Sequence, residues 1–570
     1  MRHATEIADE TLARAMPPWM PEPGEFPILG ERRLTASQIE TIQAWVKQGT
    51  PEGSTADLPK PPAFTDGWQM GKPDVTLTPP VAYTLRPAGE DVYRNLVIRT
   101  SLPADAFVRA VEFRTNGAPV HHAVIRADRS GASHRRDGEG GQPGFDGMGW
   151  QNAQDPDGQF IGWSPGRGPI ISPDGMPWRL DKDADLVIEL HLIPGAQPAA
   201  VQPMIGLFLT ETPPARTPLT VKMGSRLIDI PAGAAQHIVE DNYELPVDVA
   251  LLSVYPHAHY LGKDMLVMAT LPGGTAKTLL HIKEWEFHWQ QDYRFITPIQ
   301  LPRGTRLAMR YTYDNSAENP DNPRRPPVRV RVGPKSTDEM AELGLQFLPR
   351  SAADGAFIAQ SFVERHMREN IALGEMRVRE EPRNAEYQAF LGAAYIEVGR
   401  FADAIAPLEA ALRINPKSHD AHNDLATVLL SMNRLPDALA HVRQAAALAP
   451  RNESIQFNLG NALNKSGRPA EAAAAYERAL AINPGFPDAH ANLGSLLFSQ
   501  GRVKDALPHF ERAVALMPTS AILRSNLASA LGAAGRYQEA LQQVRLALSI
   551  SPDYAPALET LRRLNQLGIR

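Results

Sequence analysis

The side chains of this chain that are best suited to redox chemistry are five histidines and one methionine. They comprise an adjacent pair, a single residue, a pair separated by one alanine, and a thioether: His121 and His122, His191, His257 and His259, and Met340. Imidazole binds copper, zinc, iron and nickel, whereas a thioether prefers soft Cu(I). Three imidazoles plus a second set of two imidazoles and a thioether indicate two copper ions that cycle through Cu(I). Redox chemistry with oxygen is therefore the leading hypothesis.

The local sequence pattern predicts where the imidazoles point. His191 lies on a predicted strand whose other face carries leucine and isoleucine, so it is expected to point away from the apolar core. His257 and His259 share one face if their segment is extended, which suits two bonds to one ion. The adjacent His121 and His122 need a bend or a bulge to converge, and bulges are common at sheet edges and near sites.

Simpler alternatives exist for these residues. A lone strand histidine is usually a hydrogen-bonded surface residue, and zinc could also use the pair His257 and His259. A zinc-dependent hydrolase, however, would need a glutamate general base beside the histidine pairs and would leave Met340 without a role. Met265 is interpreted as a core side chain, and the other histidines of this region are interpreted as structural: His134, His237, His281 and His288.

The overall composition narrows the class of protein. The net charge of −6 is too small to indicate binding to nucleic acid or to an anionic membrane surface. No run of about 18 apolar residues is present, so no transmembrane helix is expected. The first residues contain no apolar segment, so no signal peptide is visible in this chain. The absence of cysteine excludes disulfides, thiolate-bound zinc, iron–sulfur clusters and a blue-copper centre.

The last third of the chain repeats with a period of 34 residues. In each period, glycine or asparagine provides a turn between two helices, and alanine in the second helix allows close approach. A proline follows each second helix, because it cannot continue a helix: Pro416, Pro450, Pro484, Pro518 and Pro552. This period resembles the tetratricopeptide repeat, which implies a solenoid of helix pairs. Its concave surface would take a protein or peptide partner, with self-association as the alternative.

Before residue 350 the chain is rich in proline and glycine, and its apolar residues tend to alternate, which predicts a β region. The predicted strands cover residues 95–99, 186–192, 249–255, 306–313 and 328–332. In the last of these, valines alternate with arginines, as in a sheet with one buried face. Residues 314–327, rich in asparagine and proline, are predicted to form a loop. Near the start, Thr35 is predicted to cap an amphipathic helix that runs to Val46.

Five short stretches in the β region occur in a specific order and spacing: VHHAV at 120–124, ELHL at 189–192, PHAHYLGK at 256–263, WQ at 289–290 and STDEM at 336–340. With them, residues from about 70 to 349 resemble the copper type II, ascorbate-dependent monooxygenases. This is the group of peptidylglycine hydroxylating monooxygenase and dopamine β-monooxygenase, and the bacterial relatives are the more similar. The resemblance implies two jelly-roll-like β sandwiches, each of which carries one copper ion.

The resemblance also implies a role for each candidate ligand. Three imidazoles would hold the copper that transfers electrons: His121, His122 and His191. Two imidazoles and a thioether would hold the copper that binds oxygen: His257, His259 and Met340. Ascorbate or another one-electron donor would supply two electrons. One oxygen atom would enter a C–H bond of a small substrate, and the other would leave as water.

The sequence departs from the family pattern at the substrate-binding positions. Tyr255 stands where peptidylglycine hydroxylases carry an arginine that grips the substrate carboxylate. Glu342 and Gly344 replace an asparagine and a tyrosine that follow the ligand methionine. A peptide-amide substrate is therefore not expected. Three aromatic residues are candidates for an apolar substrate cleft, with a core position as the alternative: Tyr260, Trp285 and Trp289.

The N-terminal fragment resembles the C-terminal half of a c-type cytochrome domain, in residues 15–19 and 45–53. Covalent haem attachment needs the motif C-x-x-C-H, which is absent, so haem is not expected here. Met16 or Met20 would then be the relic of an axial ligand. By family resemblance the protein is expected to be periplasmic or extracytoplasmic, with any export signal upstream of this sequence.

These observations predict a multidomain β + α chain, in which two copper-binding β domains precede a helical repeat solenoid. The predicted segments are a cytochrome-like remnant (1–55), a linker (56–75), the first β domain (76–212), the second β domain (213–349), a linker helix or degenerate repeat (350–382), and five repeats with a capping helix (383–570). The predicted function is copper-dependent monooxygenation with a docking module. The alternative is a non-enzymatic copper-binding scaffold that acts through its repeats.

Overall fold

The computed structural model describes residues 3–54, 56, 67–87, 89, 91–147, 152–518 and 520–569. The chain divides into two compact units, Met1–Arg365 and His366–Arg570. The first unit consists mostly of β-strands and the second of helices. No helix in the described residues is long and apolar enough to cross a membrane. The finer division into six segments stays a prediction, and residues 57–66 of the predicted linker lie outside the described residues.

Two helices, α1 (Ala4–Leu12) and α2 (Ala36–Lys47), begin the first unit. The predicted cap of α2 is confirmed: the Gln38 backbone N–H donates to Thr35 Oγ1 at 3.2 Å, and the Thr35 N–H donates to Gln38 Oε1 at 2.8 Å. This reciprocal pair satisfies two N–H groups that a helix start otherwise leaves without partners.

The next part of the first unit contains strands β1 to β12 and one short helix, α3 (Ala132–Arg136). The strands are β1 (Val75–Leu77), β2 (Tyr83–Leu85), β3 (Val92–Arg99), β4 (Ala106–Arg114), β5 (Val120–Asp128), β6 (Phe145–Asp146), β7 (Ile161–Trp163), β8 (Ile170–Ile171), β9 (Trp178–Leu180), β10 (Asp185–Leu192), β11 (Ala199–Val201) and β12 (Met204–Thr210). One sheet has the order β6-β3-β10-β5-β7, and another has the order β1-β12-β4-β8 with β9 beside β4. Apolar side chains of both sheets enter one shared core.

The following part contains strands β13 to β22. They are β13 (Leu219–Gly224), β14 (Asp229–Ile230), β15 (His237–Glu244), β16 (Val249–His257), β17 (Gly262–Thr270), β18 (Ala276–Ile282), β19 (Tyr293–Leu301), β20 (Arg306–Tyr313), β21 (Val330–Arg331) and β22 (Glu342–Pro349). The two main sheets have the orders β13-β22-β16-β19 and β15-β20-β17-β18 and share a second core, which includes Met265 as expected.

The segment between α1 and α2 lies against this second core. Pro21 and Ile28 form isolated bridges with β18 and β19, and Trp19 and Met20 pack on the core. The Met20 sulfur accepts the backbone N–H of Glu286 at 3.2 Å. The segment predicted to be a cytochrome-like remnant therefore contributes to the packing of the β region.

Four of the predicted strands are confirmed, because β3, β10, β16 and β20 contain them. The fifth, predicted over residues 328–332, is wrong in extent, since β21 is only Val330–Arg331. Val330 is buried but Val328 is 45% exposed. The physical reason lies just before it: Pro326 and Pro327 have no N–H to donate to a strand ladder. The predicted loop over 314–327 contains no helix or strand.

A long helix, α4 (Ala352–Glu380), leads into the second unit, where the segment predicted as a linker helix or degenerate repeat is this single helix. The remaining helices are α5 (Ala385–Glu397), α6 (Phe401–Ile414), α7 (His419–Ser431), α8 (Leu435–Leu448), α9 (Glu453–Lys465), α10 (Pro469–Ile482), α11 (Pro487–Ser499), α12 (Val503–Leu516), α13 (Ala521–Ala533), α14 (Tyr537–Ile550) and α15 (Ala555–Gln566). Helices α5 to α14 form successive antiparallel pairs with the predicted period, and α15 follows the last pair.

Each helix pair is packed through a small residue in its first helix that faces a larger residue in its second. Where the small residue is glycine, the facing residue is leucine, tyrosine or phenylalanine: Gly392 and Leu408, Gly460 and Tyr476, Gly494 and Phe510. The corresponding positions in the other two repeats hold alanine and valine: Ala426 and Val442, Ala528 and Val544. The combined volume is therefore kept roughly constant, as close packing of an interior requires.

This complementarity predicts that Gly460→Ala destabilises the repeats, although alanine is the better helix former by about 1 kcal/mol. A Cβ at residue 460 would lie 2.5 Å from the Tyr476 ring. Overpacking costs about 1–3 kcal/mol, so we expect a net loss of about 1 kcal/mol. The change in the free energy of unfolding can be measured by urea titration, with the helical circular dichroism signal as the readout.

The matched control is Gly532→Ala, because a Cβ at that helical glycine meets nothing within 4 Å. This substitution should leave the unfolding midpoint unchanged or raise it. An equal rise in midpoint for both variants would show that residue 460 is not sterically limited by Tyr476.

Candidate metal centre

A β-bulge brings the first three histidines together. Strands β5 and β10 are antiparallel neighbours, and His122 pairs with His191. The next residue of β10, Leu192, pairs with Val120 and not with His121. His121 is therefore the extra residue that the ladder skips, and a bulge of this kind redirects a side chain. The predicted bend or bulge at this pair is confirmed.

The Nδ1 atoms of the three imidazoles converge on one point. His121 Nδ1 lies 3.1 Å from both His122 Nδ1 and His191 Nδ1, and the latter two are 3.3 Å apart. An ion bound to imidazole at about 2.0–2.1 Å can contact all three nitrogens at this separation. We searched the described residues for groups of at least three His, Cys, Asp or Glu side chains whose ligand atoms lie close enough together to hold a metal ion. These three histidines form such a group.

Asp91 fixes the orientation of His191. The fully buried His191 donates from Nε2 to Asp91 Oδ2 at 2.9 Å, so its Nδ1 carries the free lone pair. Metal-binding histidines commonly donate their second ring nitrogen in this way. The same Asp91 oxygen accepts the Ser336 hydroxyl at 2.5 Å, which joins the cluster to the stretch that contains Met340. The bond from His191 is the largest influence that lowers the pKa of Asp91.

Burial keeps the other two imidazoles of this cluster neutral. It lowers the pKa of His121 to about 3 and the pKa of His122 well below its ordinary value, with the neighbouring imidazoles adding to the effect. A neutral imidazole is the form that binds a metal. His121 Nε2 is also buried without a hydrogen-bond partner. The donor set of this triad therefore fits a transition-metal ion.

His257 and His259 lie at the end of β16, where the strand stops at His257. Gln290 orients the first of them: its amide nitrogen donates to the Phe287 carbonyl at 2.8 Å, so its Oε1 faces His257 Nδ1 and accepts from it. The lone pair of His257 is therefore on Nε2. The two imidazole centroids are 5.3 Å apart and nearly perpendicular, at 86°.

His259 is oriented by the stretch that precedes Met340. Its Nδ1 donates to the backbone carbonyl of Asp338 at 3.1 Å, which leaves Nε2 free. The buried Glu339 carboxylate accepts the backbone N–H groups of His259, of Leu261 at 3.0 Å and of Met340 at 2.8 Å. The main chain of Met340 is thus fixed beside His259. Burial raises the pKa of Glu339 to about 8, against the effect of these N–H groups, which lower it.

The phenyl ring of Phe287 lies between the two histidine clusters. Its centroid is 4.9 Å from that of His121 and 5.7 Å from that of His259. His288, expected to be structural, has its ring 5.2 Å from that of His121, at the edge of the site. Glu286 accepts from His288 Nδ1 at 2.7 Å and raises the pKa of His288.

A small pocket beside the clusters is lined in part by residues that the sequence did not identify. Its aromatic walls are Phe160, Trp163, Tyr255 and Phe287. The expected cleft residues have other positions. Trp285 is buried in the core and donates from Nε1 to the His259 carbonyl at 3.2 Å. The ring of Tyr260 is tilted against that of Phe287, with 4.5 Å between the ring centroids. Trp289 is also absent from the pocket lining.

The positively charged side chain of Arg167 also lines the pocket and forms an ion pair with Asp292. Burial lowers the pKa of Arg167 to about 10. Of the other histidines expected to be structural, His281 is bound through Nε2 to the Asp264 carboxylate at 2.8 Å.

Comparison with known proteins identifies the class of the helical unit. Tetratricopeptide-repeat profiles match residues 373–419, 423–487 and 487–564. The C-terminal region is therefore an array of tetratricopeptide repeats, a protein-interaction module that indicates a protein or peptide partner. A search of curated proteins finds no match to this chain.

Several solved structures are each similar to about a third of this chain. YrrB, described as a TPR protein with an unusual peptide-binding site, is 21% identical and covers 33% of this chain and 97% of its own, with a TM-score of 0.29. PilF of Pseudomonas aeruginosa is 27% identical and covers 33% and 85%, with a TM-score of 0.31. A thermophilic TPR protein of Thermus thermophilus is 25% identical and covers 32% and 98%, with a TM-score of 0.27.

The role of Asp91 gives a direct prediction. Asp91→Ala should lower the affinity of the three-histidine cluster for Cu(II) by about 10–100-fold, because His191 loses the acceptor that fixes its tautomer. Competition with a chromophoric chelator measures the affinity. Asp91→Asn retains one acceptor oxygen, so its affinity for Cu(II) should fall less than that of Asp91→Ala. An unchanged affinity in Asp91→Ala would contradict this role.

Proposed function

We propose that the β region is a copper-dependent monooxygenase that uses molecular oxygen, a one-electron donor such as ascorbate, and a small substrate. One observation carries the proposal: two sets of buried or partly buried imidazoles lie on either side of Phe287, and hydrogen bonds leave one ring nitrogen free in His191, His257 and His259. His121, His122 and His191 would hold one copper ion. The second would be held by two imidazoles and a thioether: His257, His259 and Met340.

Bound copper would supply one-electron transfer and the activation of oxygen, and the protein would supply orientation. Asp91, Gln290 and the Asp338 carbonyl each accept a hydrogen bond from one imidazole and thereby determine which ring nitrogen carries the free lone pair. Phe287 keeps the two sets of ligands separate, which favours two mononuclear sites over one shared site.

The fold proposed for this activity is a pair of jelly-roll-like β sandwiches. Support comes from two separate cores, each of which is enclosed by antiparallel sheets, and from the position of each histidine cluster on a different pair of sheets. We also propose an extracytoplasmic location, and the family resemblance is its only support. The repeat array would dock the enzyme to a protein partner.

A second candidate function is a non-enzymatic copper-binding scaffold. The observation that favours it is the repeat array, since the helical unit is the part of the chain whose class is established. In this case the β region would bind copper without turnover, and binding of a partner to the repeats would be the main activity.

The two-site proposal predicts that the β region binds two copper ions. Met340→Ala should weaken Cu(I) binding at one site and leave the three-histidine site unchanged, because thioether sulfur prefers Cu(I). Titration against a chromophoric Cu(I) chelator checks this. Met432→Ala, at an exposed methionine of the repeats, is the control and should bind as the wild type does. Wild-type Cu(I) affinity at both sites in Met340→Ala would overturn the assignment of Met340.

The enzyme proposal predicts substrate-dependent oxygen uptake in the presence of copper and ascorbate. His257→Ala should abolish it, since the oxygen-binding site would lose an imidazole. His281→Ala removes a histidine of the same β region that is bound to Asp264, so it should retain activity. With a compound that supports uptake, equal rates for His257→Ala and the wild type would exclude this site as the catalytic one.

A further inference from the structure

The repeat array contains two pairs of histidines in equivalent positions, outside the site described above. His422 on α7 faces His441 on α8, with 3.0 Å between their Nδ1 atoms. Two repeats further along, His490 on α11 faces His509 on α12, again with 3.0 Å between the Nδ1 atoms. The ring centroids are 5.2 Å apart in the first pair and 5.3 Å in the second.

The backbone fixes the tautomer of the first histidine in each pair. His422 Nε2 lies 3.1 Å from the carbonyl oxygen of Pro416, and His490 Nε2 lies 3.1 Å from that of Pro484. A carbonyl can only accept, so Nε2 must carry the proton, and the Nδ1 lone pair is directed at the partner imidazole. Donation of the second ring nitrogen to a backbone carbonyl is the usual arrangement of a metal-binding histidine.

The bond to the proline carbonyl does not itself require histidine. Gln388 Nε2 donates to the Pro382 carbonyl at 3.0 Å, and Gln456 Nε2 donates to that of Pro450 at 3.1 Å. Glutamine therefore meets the structural need in the alternate repeats. Histidine differs because it has a second ring nitrogen, Nδ1, whose lone pair lies on the side of the ring away from the proline carbonyl.

The surroundings of the two pairs also correspond. Burial, and then the facing imidazole of the pair, lower the pKa of His441 and of His509. Two carboxylates oppose this effect at each residue: Asp437 and Glu409 at His441, and Glu477 and Asp505 at His509. Each pair is partly exposed, so an ion can reach it from solvent. Arginines lie nearby as well, since Arg434 is ion-paired with Asp437 and Arg502 with Asp505.

We propose that His422 with His441, and His490 with His509, are two equivalent binding sites for a divalent transition-metal ion. Bonds of about 2.0–2.1 Å to nitrogens 3.0 Å apart require an angle of about 90–100° at the ion. This angle is that of neighbouring ligands in the tetragonal geometry of Ni(II) and Cu(II). Water completes the coordination. Each ion joins the two helices of one repeat.

The test is Ni²⁺ binding to the full chain near neutral pH, by equilibrium dialysis. The double variant His422→Gln/His490→Gln retains the donor to each proline carbonyl, as Gln388 and Gln456 do, and removes one ligand from each site. We expect it to bind two fewer equivalents of Ni²⁺ than the wild type, and the single variant His422→Gln to bind one fewer. Ni²⁺ should also raise the melting temperature of the helical signal in the wild type but not in the double variant.

The control is His237→Gln, the same substitution at a histidine of β15, which should bind as many equivalents as the wild type. Ni²⁺ bound at the histidines of the β region is common to all these proteins and cancels in the comparison. Equal stoichiometry in the wild type and the double variant would overturn the proposal, because it would mean that each pair is only a hydrogen bond between neutral imidazoles.

Discussion

The two hydrogen bonds accepted by Asp91 are the interaction on which the candidate metal centre depends. One comes from His191 and sets the nitrogen that His191 presents to its neighbours. The other comes from Ser336, which is far along the chain and four residues before Met340. A single carboxylate oxygen thus ties the three-histidine cluster to the stretch that fixes the second cluster. The geometry of each cluster is therefore not independent of the other.

In the second cluster, too, hydrogen bonds determine which ring nitrogen of each histidine is left free. A buried polar atom needs a hydrogen-bond partner, and an imidazole has two ring nitrogens to satisfy. In His257 and His259, the protein satisfies Nδ1 with Gln290 and with the Asp338 carbonyl, and Nε2 is left for another ligand. Glu339 adds rigidity, because its carboxylate binds three backbone N–H groups around the site. Such pre-positioned donors reduce the reorganisation that metal binding would require.

The helical unit could be predicted almost completely from the sequence, because its contacts are local and recur every 34 residues. The site could be predicted in part. Alternation placed His191 on the face away from the leucines, and the adjacency of His121 and His122 required the bulge that the structure contains. Two residues beside the ligands could not be found in this way. Asp91 and Phe287 are distant in sequence from the histidines that they contact, and no period or motif marks them.

The proposed function requires that the free ring nitrogens of these clusters enclose two separate copper ions. Anomalous diffraction at the copper edge from copper-loaded crystals tests it most directly. We expect one peak equidistant from the Nδ1 atoms of His121, His122 and His191, and a second peak beside Nε2 of His257 and His259. Crystals that bind copper elsewhere, with no peak between these imidazoles, would contradict it.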